Sequence, residues 1–199
     1  MSLPFGYLVM SYLSGSIPSS YVVGRVFFQK DLRQLGSGNL GTTNTLRIFG
    51  KKAAFVVLIM DIMKGLFPVW YVSGQMVSTG GEHWVLLCGL AAIIGHIYSW
   101  AVGFKGGKGV ATSCGVLLAL APLPAVAALV VWIIVFGSTK TASVASLVSS
   151  ILFPIAIYFD SSNQNPSLFW FSLGLLVLII WTHRSNIARL IEGKEKAAL

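Results

Sequence analysis

Acidic residues are scarce. Only six Asp and Glu occur in 199 residues, and charged side chains of both signs make up 10% of the chain, where a soluble globular domain carries about 25%. Water is therefore excluded as the main solvent. With 55% hydrophobic residues and a mean hydropathy of +0.80, the chain reads as a membrane protein. The shortage of acid against fourteen Lys and Arg leaves a net charge of +8. In a soluble protein such an excess would suggest nucleic acid; in a membrane protein it sets orientation, and no nucleic-acid partner is expected. Cysteine is nearly missing too. Cys88 and Cys114 each sit singly in apolar runs without CxxC or ligand spacing, which supports neither a disulfide framework nor a zinc site and leaves them as small hydrophobes. No other ligand cluster is visible, so no metal or other cofactor is expected. Internal repeats, low-complexity segments and long linkers are absent as well, which predicts one domain over residues 1–199; most inverted-repeat transporters need more chain. No basic residue precedes the first apolar run, which reaches Val23, whereas a secretory signal places positive charge ahead of its apolar core. That run is expected to be a retained span.

What the chain has is apolar runs near the ~20 residues a spanning helix needs: 3–28, 53–73, 84–102, 143–159 and 168–182. A further stretch, 109–137, is interrupted by Pro122 and Pro124, which break helix, and reads as a hairpin, either two short spans or a re-entrant loop. Charge orders these segments. Residues 30–52 hold five Lys and Arg, FKGGKG holds Lys105 and Lys108, Lys140 follows the hairpin, and the tail from Arg184 holds four. The loops around Glu82 and Asp160 hold none. Placing every basic loop in the cytoplasm predicts an all-α integral membrane bundle of seven spans, N-terminus outside and C-terminus cytoplasmic.

The polar loops carry the chemistry. DLRQLGSGNLGTTNTLR (31–47) interleaves Gly36, Gly38 and Gly41 with Ser37, Asn39, Thr42, Thr43 and Asn44, a composition that can turn backbone N–H groups and hydroxyls toward one anion. Arg47 offers a planar fork matched to phosphate. The plainer alternative is a flexible loop with a solvated charge. It is not a Walker motif, since no Lys with Ser or Thr follows at the required positions. GFKGGKGVATSCG (103–115) passes from glycine-rich loop to apolar helix after Lys108, which puts helix N-terminal amides beside a lysine, a setting for a second phosphate. Lys105 and Lys108 equally suit membrane-interface anchoring; the reading taken is anchoring for Lys105 and ligand binding for Lys108.

In KTASVAS (140–146) Ser143 and Ser146 lie three apart, on one helix face, although a lone Ser146 would bond to its own helix. In THRSNIARLIEGK (182–194) His183 and Asn186 share that spacing. Asp61 and Lys64, also three apart, are the only charges well inside an apolar helix. Such ions cost at least ~2.5 kcal/mol each and are expected to pair as structural support or to face the site from below.

Taken together, LGSGNLGTTNTLR, DIMKG, GHIYSWAVGFKGGKGVAT and HRSNIARL, in this order and between these spans, resemble the PlsY family of bacterial acyl-phosphate:glycerol-3-phosphate acyltransferases over almost the whole chain. The sequence departs from the family where Thr42 stands for a more usual Ala and Thr182 for a frequent Arg. The resemblance implies transfer of a fatty acyl group from acyl phosphate to the 1-hydroxyl of glycerol 3-phosphate, giving lysophosphatidate and phosphate in phospholipid biosynthesis. It implies a bacterial inner-membrane location with the active site facing the cytoplasm. It also implies that the acyl-phosphate group lies near Ser37, Gly38 and Asn39, and glycerol 3-phosphate near Arg47, Lys108, Ser146, His183 and Asn186, with His183, Asn186 and Lys108 in the catalytic roles.

An acyl phosphate is an activated mixed anhydride with a stable anionic leaving group, so no covalent Ser or Cys intermediate is needed and positioning and charge stabilisation dominate. None of His83, His96 and His183 is followed five residues later by Asp, so the HxxxxD signature of acyl-carrier- and coenzyme-A-dependent acyltransferases is missing. The substrate's own phosphate or His183 is left to take the hydroxyl proton. Two other classes stay open: a small anion transporter, whose site would be expected nearer the midplane, and a noncatalytic assembly subunit, which leaves the polar strings unexplained.

Overall fold

A computed structural model describes residues 3–76, 81–160 and 165–198, and all regular structure among them is helical. Two compact units follow one another along the chain, 1–120 and 121–199. The first contains α1 (Leu3–Gly15), α2 (Ser19–Phe28), α3 (Thr42–Met76), α4 (Glu82–Ile97) and α5 (Val110–Leu120), with short 3-10 turns at Leu32–Gln34 and Trp100–Val102. The second contains α6 (Pro122–Thr139), α7 (Ala142–Phe159), α8 (Pro166–Thr182) and α9 (Arg184–Ile191).

The expected single span over 3–28 is corrected to two helices of 13 and 10 residues. Pro18 has no N–H to donate and disfavours helix at Ile17, so the chain turns there. The carbonyls freed by the turn are satisfied from outside the helix: Lys64 Nζ donates to Ile17 O at 2.7 Å and Ser99 Oγ donates to Ser16 O. Ser19, at the start of α2, donates its hydroxyl to Asp61 Oδ1 at 2.7 Å, and Lys64 Nζ lies 2.8 Å from the same oxygen. The two intramembrane charges therefore pair and brace the broken first segment, as one of the two sequence readings expected.

In α3 the helix is interrupted at Gly50, whose φ of 83° and ψ of −177° leave the helical region. Residues 42–49, read from the sequence as loop, form a separate helical piece before the long apolar stretch. Phe49 at its end stacks on Phe28, ring centroids 4.3 Å apart, and joins the buried cluster of Val23, Ala53 and Val57.

Small residues set the close helix crossings of the first unit. A Cβ added at Gly15 would collide with Ala92 O, and one at Gly95 with Tyr12 O, where α1 crosses α4. The same holds at Gly65 against Thr112 O and Gly115 against Ile62 O, where α3 crosses α5. Backbones approach this closely where no hydrophobic force presses helices together and van der Waals contact must do so instead. Large apolar side chains such as Phe55, Trp70, Ile134 and Trp170 face outward, as lipid-facing positions should.

Thr42–Met76, Glu82–Val102, Pro122–Thr139 and Ala142–Phe159 are long and apolar enough to cross a membrane, and α8 with α9, bent by 60°, make a fifth candidate. Val110–Leu120 is shorter. The break expected at the central prolines of 109–137 falls at Ala121, with φ −149° and ψ 79°. Residues 77–80 and 161–164, in the two loops expected on the outer side, lie outside the described residues.

Candidate functional site

Asn44 organises the first loop. Buried in the first turn of α3, it accepts a hydrogen bond from Ser37 N at 3.0 Å and donates to Leu35 O at 3.0 Å and Asn39 O at 3.1 Å. Gly36 (φ 60°) lies against this amide, where a Cβ would overlap Asn44 Oδ1. The backbone N–H groups of Ser37 and Gly38 are thus engaged within the loop, the latter to Leu35 O at 3.0 Å. The loop turns these two of its amides inward. It presents the exposed Ser37 hydroxyl and the half-buried Asn39. Arg47, exposed, follows Asn44 by three residues on the same helical piece, so it leaves from the face that holds the loop.

The base of this loop is fixed by charge. Asp31 is nearly buried, 2.7 Å from Arg33 and 3.2 Å from Arg25, and both guanidinium groups lie over the Tyr21 ring. The Arg33 hydrogen bond, opposed by burial and helped by both cations, holds the Asp31 carboxyl at about 2.

The second glycine-rich loop packs directly on the first. Gly107 is wedged so that a Cβ would strike His96 Nε2 and lie 2.7 Å from Leu40 O, while Leu32, Leu40 and Val102 share one buried cluster. Gly106 N donates to Ile97 O at 2.9 Å and Gly107 N to His96 O at 3.1 Å, stitching the loop to the end of α4. Gly109 (φ 86°) turns the chain into α5, whose first residues follow Lys108 as the sequence predicts. Lys108 is half-buried and Lys105 exposed.

In the second unit, Ser143 and Ser146 lie in the first turns of α7, and His183 and Asn186 at the joint of α8 and α9. Glu195 ties Ser143 to Asn186. Its Oε1 accepts from Ser143 Oγ at 2.9 Å and from Asn186 Nδ2, and its Oε2 accepts from Arg189 Nε at 2.7 Å. Burial opposes ionisation of this carboxyl, but the three donors outweigh it and hold it below its ordinary value. Sequence reasoning missed Glu195, because EGKEK reads as a solvated charge run; the only signal was an acidic residue in a tail otherwise rich in Lys and Arg.

His183 is buried, with Nδ1 2.9 Å from Ile179 O. A carbonyl only accepts, so Nδ1 carries the proton and Nε2 is the basic nitrogen of the neutral ring. Ser146 Oγ donates to Ala142 O at 2.7 Å, the self-bonding its residue type suggests, and accepts from Trp132 Nε1 at 3.1 Å. Each unit thus carries its own share of the expected residues: Ser37, Gly38, Asn39 and Lys108 on two touching loops with Arg47 on the helical piece that follows the first, and Ser146, His183 and Asn186 at the start of α7 and the joint of α8 and α9, Asn186 bonded to Glu195.

Over residues 5–193 the chain matches the family described as glycerol-3-phosphate acyltransferase. It is 41% identical over 197 residues to the glycerol-3-phosphate acyltransferase of Staphylococcus saprophyticus subsp. saprophyticus, covering 94% of each chain. To the enzyme of the same name from Listeria monocytogenes serovar 1/2a it is 40% identical over 195 residues, covering 94% of this chain and 92% of the relative. Its structure is similar to the crystal structure of PlsY (YgiH), an integral membrane glycerol 3-phosphate acyltransferase, in the glycerol 3-phosphate form. The TM-score is 0.89 at 34% identity, covering 98% of this chain and 94% of that one. The lysophosphatidic acid form gives 0.87 at 32% identity, with the same coverage.

Proposed function

The chain belongs to the glycerol-3-phosphate acyltransferase family, as a bacterial multi-pass membrane enzyme, and from that premise we propose that it takes its acyl group from an acyl phosphate. The acceptor is the 1-hydroxyl of glycerol 3-phosphate, and the products are lysophosphatidate and phosphate. The observation that carries this reading is the contact of two glycine-rich, cation-bearing loops through Gly107 and Leu40, which suits two phosphate-bearing substrates. Ser37, Gly38 and Asn39 hold the acyl-phosphate group. Arg47, Lys108, Ser146, His183 and Asn186 serve glycerol 3-phosphate. Residues 1–199 act as one catalytic domain in the inner membrane, with seven spans and the loops in the cytoplasm.

The chemistry follows from the leaving group. Phosphate departs as a stabilised anion, so the enzyme has chiefly to align a hydroxyl with the acyl carbon and to neutralise charge. With Nδ1 bonded to Ile179 O, His183 offers Nε2 as a site for the hydroxyl proton, in competition with the substrate's own phosphate oxygen. Glu195 holds Asn186 in place. Purified protein given labelled glycerol 3-phosphate should form labelled lysophosphatidate with a fatty acyl phosphate and not with acyl-coenzyme A. Comparable rates with both donors would overturn the donor assignment, and no product with either would overturn the enzyme reading in favour of anion transport.

A further inference from the structure

His96 has no role in the reaction as assigned above, yet its surroundings join the buried ion pair to the loop that carries Lys108. It lies in the last turn of α4 and is 6% exposed. On one side its Nδ1 stands 3.7 Å from Asp61 Oδ1, beyond hydrogen-bond range, and has no hydrogen-bond partner among the described residues. Asp61 is itself held by Ser19 and Lys64, so this wall of the ring's environment is fixed. On the other side Nε2 lies against Gly107, close enough that the glycine has no room for a Cβ. The backbone repeats the link, since Gly107 N donates to His96 O at 3.1 Å. Lys108 is the next residue.

We infer that His96 is a positioning residue for Lys108. The imidazole, backed by the Asp61–Lys64 pair, supports Gly107 from beneath and so sets the point from which Lys108 leaves the loop. Leu40 O lies on that same side of Gly107, 2.7 Å from where a Cβ would stand, so the loop cannot shift without disturbing its contact with the first loop. The ring acts through Gly107 and not by touching substrate. This deepens the functional reading, because it rests on Lys108 binding glycerol 3-phosphate. Displacing a positioned group by about an ångström can cost on the order of a hundredfold in rate, and the carbon atoms of the ring occupy that much space under the loop.

Two substitutions separate reach from polarity. His96→Asn places an amide where Nδ1 stands and stops short of Gly107; His96→Gln extends to the position of Nε2. In the purified, folded enzyme the Asn variant should raise KM for glycerol 3-phosphate about tenfold and leave KM for acyl phosphate within about twofold, while Gln restores the glycerol 3-phosphate KM to within about threefold. In a Lys108→Ala background His96→Asn should add less than about twofold, because both changes remove the same interaction. Equal behaviour of Asn and Gln, parallel rises in both KM values, or losses that multiply in the double variant overturn the proposal alone. A normal glycerol 3-phosphate KM in Lys108→Ala removes the role of Lys108 and the proposal with it. A wild-type chain that does not acylate glycerol 3-phosphate overturns the functional reading beneath both. Should His96→Asn not fold, the Gln variant decides: a KM within about threefold of wild type sustains the proposal and a tenfold rise overturns it.

Discussion

Lys108 and Lys105 differ by three positions and by their surroundings. Lys108 is half-buried at the entry to α5 and Lys105 is exposed. Charged hydrogen bonds contribute about 1.5–3 kcal/mol, so Lys108→Ala should lower kcat/KM for glycerol 3-phosphate about ten- to a hundredfold at ~1.4 kcal/mol per decade. Lys105→Ala should leave the kinetics nearly unchanged. Equal losses in steady-state assays of the two variants would refute the division of roles. Glu195 makes a different prediction. Its folded carboxyl titrates below the ordinary value, so its contribution to stability is complete above the unfolded value of ~4.3 and disappears as pH falls through the depressed folded value. Glu195→Gln should lower Tm at neutral pH and flatten the decline of Tm as pH falls below about 5. Parallel Tm curves for wild type and variant, measured in the same detergent, would contradict the brace. Single residues with a distinctive type were legible in the sequence. Asn44 was counted among the polar residues of the anion loop and its bracing role was not seen, because the amide that holds a loop and the amide that lines a site are the same residue type.

Elements were legible where hydrophobic length decides and less so where polar contacts do. The apolar core of α3, α4, α7 and α8 followed from composition, because about 20 apolar residues in sequence need a membrane. The break between α1 and α2 was hidden, although Pro18 marks it, since the apolar run continues through the proline without a charge. What stabilises that break lies far away in sequence, in Lys64, Ser99 and Asp61. Removing one member of a buried ion pair costs about 3–5 kcal/mol because the other is left uncompensated. Lys64→Met should therefore destabilise the first unit by at least that order, with the loss of its bond to Ile17 O included. Adding Asp61→Asn to Lys64→Met should cost much less than Asp61→Asn alone. Thermal unfolding of the three variants tests this coupling, and strictly additive Tm losses would show that the pair does not act as a strut. The helical piece 42–49 was missed for a related reason: Gly50 ends it after two turns, too short a run for periodicity to show against a background of glycine and threonine.

At the scale of the molecule, the sequence predicts a membrane orientation, on which helix lengths are silent. Among the described residues four helices and one bent pair meet the length and composition for spanning, while the distribution of Lys and Arg asks for seven crossings. The difference lies in α1, α2 and α5, which are short, and in the broken stretch around Ala121. Basic residues are retained on the cytoplasmic side by the rules of insertion, and 30–52, Lys105, Lys108, Lys140 and the tail from Arg184 are all basic, while the segments beside Glu82 and Asp160 lack Lys and Arg. Single cysteines placed near Arg47, Lys108 and Lys140, in a chain whose Cys88 and Cys114 are replaced by Ala, should react with a membrane-impermeant maleimide only after the membrane is opened. Cysteines next to Glu82 and Asp160 should react in intact cells. The decisive position is Lys108. If it labels from outside, the stretch 109–137 does not leave and return to the cytoplasm, the substrate loops do not share a side, and the seven-span reading fails. If Lys108 and Lys140 are both protected while Glu82 and Asp160 label, residues 109–137 must enter and leave the membrane on the cytoplasmic side. Probing Leu120 and Ala121 then separates two full spans, where these positions label from outside, from a re-entrant loop, where they do not.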